Sequence, residues 1–142
     1  MRRHLARALA VTALTAPFGA FGTPVHAGTH GAGCPASLPP GPGAAKGVLA
    51  AVGRSVPRLY SQPDHRDYQV TALTSLAPRA FVPGGISPYR GIALHRCGAR
   101  LVDRSWVVFL YFPSLAPSAS LSQGVVYAAR TPGGWQVWYR YR

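Results

Sequence analysis

The sequence predicts an α+β domain: an antiparallel sheet of about four strands with a C-terminal β-meander, one or two helices packed on it, and one disulfide. Three observations carry that expectation. RSWVVFLYF at 104–112 is apolar at odd and even positions alike, as in a central strand covered on both faces. LSQGVVYAAR at 121–130 and WQVWYRYR at 135–142 flank TPGG at 131–134, a tight-turn sequence between two strand-like runs. Nine of the thirteen aromatic residues after position 27 fall between Trp106 and Tyr141, which puts the core in this segment.

The remaining elements follow in order. Residues 1–27 open with Arg2, Arg3 and Arg7, continue with the apolar run ALAVTALTA and close on small residues at Val25 and Ala27. This layout is that of a secretory signal peptide cleaved after Ala27. A membrane anchor would need about 20 apolar residues, and Gly19, Gly22 and Pro24 interrupt sooner. Residues 28–41 are an irregular Gly/Pro-rich arm with Cys34 as its one anchor, and residues 42–142 form a single domain. Pro42 suits the first turn of a helix whose buried face is Ala45, Val48, Val52 and Val56, ended by Pro57. SQPDHRD at 61–67 is a turn, YQVTALTSL at 68–76 a strand, and 77–88 a loop with three prolines and two glycines. Ser87-Pro88 starts a second helix with Tyr89, Ile92, Ala93 and Cys97 on one face and Gly98 as its stop. A strand over 91–97 is the alternative, since short apolar runs serve either state.

Charge and cysteines bound the setting. The chain has 142 residues, 15 Lys and Arg against 3 acids, and a formal net charge of +12. Without residues 1–27, twelve basic residues face Asp64, Asp67 and Asp103, a net of +9. The arginines are spread along the chain, and the Ala, Gly, Pro and Arg richness also fits the composition of a GC-rich genome. Cys34 and Cys97 are the two cysteines, and in an oxidising compartment they pair. Lipidation at Cys34 is the rival, but GAGC has Gly31 where a lipoprotein box carries an aliphatic residue, and it would strand Cys97.

Chemistry is sparse. In strict strand alternation Trp135, Val137, Tyr139 and Tyr141 point one way, and Gln136, Trp138, Arg140 and Arg142 the other. Pairing Arg130 with Trp135 then sets Tyr127 opposite Trp138 and Val125 opposite Arg140. That mixed face has two readings. One is a half-exposed sheet surface with arginine stems lying over the rings. The other is a stacking and charge platform of Tyr127, Trp138, Arg140 and Arg142 for an anionic or sugar-bearing ligand. A second candidate is the loop RAFVPGG, where Arg79, Phe81 and Val82 could present an anchor to a protease, as inhibitor loops do; the alternative is that Phe81 tucks into the core. A hydrolase would have to be built around His65 and Asp67, although DHRD at 64–67 also reads as a simple turn. After position 27 no CxxC, HxxxH or GxSxG pattern occurs, and neither a metal nor a cofactor is implied.

These features favour a secreted, non-catalytic cationic domain that binds or structures an anionic envelope component or another secreted protein. Sequence-specific nucleic-acid binding is not expected, and membrane contact is expected only during export. RCG at 96–98, RSWVVFLYFP at 104–113, SASLSQG at 118–124 and ARTPGGWQVWYRYR at 129–142 resemble small secreted proteins of GC-rich actinobacteria with no assigned activity. The resemblance implies a secreted domain and carries over no functional residues.

Overall fold

A computed structural model describes residues 33–78, 87–117 and 120–141. Residues 1–27, expected to be a signal peptide, the first residues of the arm, the loop positions Arg79, Phe81 and Val82, and Arg142 lie outside the described residues.

Helix α1, Ala44–Leu59, buries Val48, Ala51, Val52 and Val56. Ala45, expected on that stripe, is exposed in the first turn. Pro57 does not end the helix as expected. The chain stays helical to Leu59, and Tyr60 N–H bonds Val56 O at 2.9 Å. The amide that Pro57 lacks would have bonded the carbonyl of Gly53, and both residues lie on the exposed side, where water can take the place of that bond. Gly47 weakens the helix locally but is needed: a Cβ there would run into the indole of Trp135.

Strand β1, Gln69–Ser75, and the later strands β2, Ser105–Tyr111, β3, Gln123–Thr131, and β4, Gly134–Tyr141, pair in the order β1-β2-β3-β4, every neighbour antiparallel. Between β1 and β2, Ser87–Val102 is helical, α2, so the strand alternative for 91–97 does not hold. Gly98, at φ 70° and ψ 172°, is non-helical and stops the first helical segment as expected, and a second short segment continues from it to Val102. The change of direction at Gly98 has a visible result. Thirteen residues of straight helix would separate Arg90 from Asp103 by about 20 Å, yet Arg90 Nη2 meets Asp103 Oδ1 at 2.7 Å. The turn after Gly98 therefore folds back, and Arg90 Nη1 also donates to Leu76 O at 2.6 Å, tying α2 to the end of β1.

The two helices cover opposite faces of the sheet. Val48, Val52 and Val56 of α1 pack with Val108, Leu110, Phe112, Val126 and Ala128. Ala93, Leu101 and Val102 of α2 pack with Val107, Val125, Tyr127, Ala129 and Trp138. Alternate residues of β2 and β3 thus belong to different cores, which is why these strands are apolar throughout. No helix among the described residues is long and apolar enough to cross a membrane.

Cys34 and Cys97 form the disulfide, with Cα atoms 5.5 Å apart. The arm is held at further points that its composition does not announce. Leu38 N–H bonds Arg130 O at 2.7 Å, and Arg104 Nη1 donates to Ser37 O at 2.7 Å. The bridge closes a loop across 63 positions, and the chain-entropy relation makes that worth roughly 4 kcal/mol. Replacing both cysteines with serine should lower unfolding stability by about that amount in denaturant titration. A loss below about 1 kcal/mol would show that the arm's hydrogen bonds alone hold it.

Candidate functional site

Strict alternation fails in β4. Arg130↔Trp135 and Ala128↔Val137 pair as expected, but Tyr127 pairs with Tyr139, Val126 with Arg140 and Val125 with Tyr141. Trp138 is the extra residue of a β-bulge, and every side chain beyond it changes face. The expected Tyr127–Trp138 and Val125–Arg140 register is corrected accordingly. Trp135 and Val137 face α1, whereas Trp138, Tyr139 and Tyr141 all join the α2 layer.

The platform drawn from the sequence is therefore not assembled. Tyr127 is 0% exposed and Trp138 9%. Trp138 Nε1 donates to Ser105 Oγ at 3.1 Å, Ser105 Oγ donates to Leu101 O at 2.8 Å, and Tyr127 Oη donates to Tyr89 O at 3.1 Å. These rings sit among Tyr139, Tyr141, Tyr89 and Phe109 as core, with Arg96 stacked over Tyr139 at 4.8 Å. Arg140 lies on the other face, over the ring of Tyr60 at 5.0 Å, with Nη1 bonded to Leu59 O. His65 is buried, stacked on Tyr60 and edge-on to Phe112, while Asp64 and Asp67 are exposed. His65 and Asp67 are thus turned to different environments. His95 is exposed, and Cys97 is committed to the disulfide.

What the fold does bring together is a set of arginines from α1, β3 and β4. Arg54 Nη2 donates to Trp135 O at 3.1 Å, across from Arg130, which pairs with Trp135. Arg58 Nη2 donates to Arg54 O at 3.1 Å, and Arg140 bonds the carbonyl of neighbouring Leu59. Arg54, Arg58, Arg130 and Arg140 are all exposed. The carbonyls that hold Arg58 and Arg140 belong to the C-terminal half of α1, where the helix dipole favours cations. Among the described residues the ion pair is Arg90–Asp103, on the α2 side, and neutral carbonyls rather than carboxylates hold Arg54, Arg58 and Arg140. The i, i+4 spacing of Arg54 and Arg58 was visible in the sequence. Arg140 could not be joined to them without the bulge, nor Arg130 without the register.

Two phenols record the burial around this architecture. Burial pushes the Tyr60 hydroxyl up to about 12, against the opposing pull of Arg140 and the Val125 amide. Burial raises Tyr127 as well, reinforced by Tyr139, Tyr89 and Tyr141.

No protein-family model, curated protein or solved structure matches the chain.

Because Trp138 is core, Trp138→Ala should cost about 3–5 kcal/mol of stability, measured by denaturant unfolding. A variant as stable as the parent would place the ring at the surface after all. A raised phenol favours the folded state below the unfolded value of about 10 and ceases to do so as pH climbs to the folded one. Stability should accordingly fall between about pH 10 and 12, and less steeply in Tyr60→Phe. A Tyr60 phenolate signal at 295 nm already complete near pH 10.5 in folded protein would contradict this.

Proposed function

We propose that the protein is a secreted, non-catalytic domain that binds an anionic envelope component through Arg54, Arg58, Arg130 and Arg140. The observation that carries this reading is the row itself: the exposed guanidiniums of Arg54, Arg58 and Arg140 positioned by backbone carbonyls, with Arg130 exposed opposite Trp135 and no carboxylate drawn against them among the described residues. Arginines one helical turn apart repel by a few tenths of a kcal/mol, and the fold keeps Arg54 and Arg58 in that arrangement with carbonyls rather than carboxylates as their partners among the described residues. A guanidinium fixed by one N–H retains other N–H groups for phosphate or carboxylate oxygens and has less freedom to lose on binding. A disulfide in the domain is compatible with the export that the N-terminal sequence implies.

The test is retention of the disulfide-bonded protein on isolated cell wall across a salt series. Salt should weaken it, and Arg54→Gln/Arg58→Gln should lower the slope of log affinity against log salt by about two. The charge-matched Arg66→Gln/Arg100→Gln should behave nearly as the parent. Equal loss in both double variants, or retention indifferent to salt, would contradict a site at the row.

A further inference from the structure

On the opposite side of the sheet from the arginine row, a cavity of about 240 Å³ opens between the start of α2, the short helical turn Ser120–Ser122 and the adjoining ends of β3 and β4. Its walls include the rings of Tyr89 and Tyr141, set nearly perpendicular at 78° with centroids 6.4 Å apart. Ile92 and Val125 add apolar lining, and Ser120 and Gln123 add a hydroxyl and an amide. None of the described lining residues is charged, in a chain that carries eleven arginines after position 27.

We infer that this cavity binds a single neutral polyhydroxylated ring, of the size of one hexose unit. Each alternative meets a physical obstacle. Among the described lining residues an anion would find no cation, and a cation no carboxylate. A wholly apolar ligand would cover the Gln123 amide and Ser120 hydroxyl without replacing their bonds to water, a cost that polar groups make felt. A sugar ring offers apolar C–H faces to the tyrosines and hydroxyls to the amide and hydroxyl, the mixture of apolar lining and few polar groups typical of small-ligand sites. The volume lies below the ~300–1,000 Å³ of drug-sized pockets, which limits the occupant to about one ring. This site is independent of the arginine row, and either can fail without the other.

Saturation-transfer NMR on the intact, disulfide-bonded protein with glucose, galactose, mannose and N-acetylglucosamine provides the test, with indole and inorganic phosphate as comparators. At least one sugar should receive saturation with a dissociation constant on the order of 1 mM, ordinary for a ligand of about twelve heavy atoms. The Gln123 and Val125 amides should shift with it. Gln123→Ala, an exposed position that the fold tolerates, should weaken binding by about tenfold, Tyr141→Ala should weaken it further, and Arg58→Gln should leave it unchanged. Saturation of no sugar well above millimolar concentration, binding of indole or phosphate without any sugar, or sugar binding undiminished in both cavity variants would overturn the inference.

Discussion

Strands β2 and β3 have no face to give to water, and the rest of the fold answers to that constraint. Val107 and Val108 are adjacent in one strand and both fully buried, each in a different core. A sheet of four strands with two apolar faces needs a cover on each, and the chain supplies one helix before β1 and one between β1 and β2. Placing α2 there forces a crossing from the end of β1 to the start of β2 within a small domain. The break at Gly98 and the return of Asp103 to Arg90 accomplish it. The disulfide then joins α2, beside its break at Gly98, to the arm, and the arm's Leu38 amide takes the Arg130 carbonyl.

The edge strands meet a different demand. Both β1 and β4 have one side without a strand partner, the arrangement that invites pairing with other chains. Each carries a register irregularity, beside Thr71 in β1 and at Trp138 in β4, and such bulges twist an edge away from flat pairing. In β4 the extra residue also distributes the side chains. It sends Tyr139 and Tyr141 to join Tyr89 and Tyr127, and it turns Arg140 toward the C-terminal end of α1. Arg54, reaching from α1 to the Trp135 carbonyl, lies along the same edge. One inserted residue thus serves edge protection, core filling and the assembly of the basic row.

Much of this was legible because local signals and tertiary packing agree. The double-sided apolar run at 104–112, the TPGG turn, the Ser87-Pro88 helix start and the two cysteines each point to what the structure contains. The misreadings share a cause. Pro57 breaks a helix only where its missing hydrogen bond matters, and on an exposed face it does not. Strict alternation places Trp138 beside Arg140, but a bulge leaves no mark in a run of aromatics and arginines, since either phase looks amphipathic. The buried hydrogen bonds from Trp138 to Ser105 and from Tyr127 to the Tyr89 carbonyl join residues 33 and 38 positions apart, beyond any local pattern. The basic row was hidden for the same reason: its members come from three elements and meet only once the register of β4 is known.

The two-sided sheet also separates the proposed chemistry, with arginines on the α1 side and the neutral tyrosine-walled cavity on the α2 side. It can be examined directly through the methyl groups of two neighbouring valines. In a methyl-labelled sample, Val108 should show nuclear Overhauser contacts to Val52 and Val56, and Val107 to Ala93 and Val102. Contacts from both valines to the same helix, or from Val107 to neither, would contradict a sheet buried between α1 and α2.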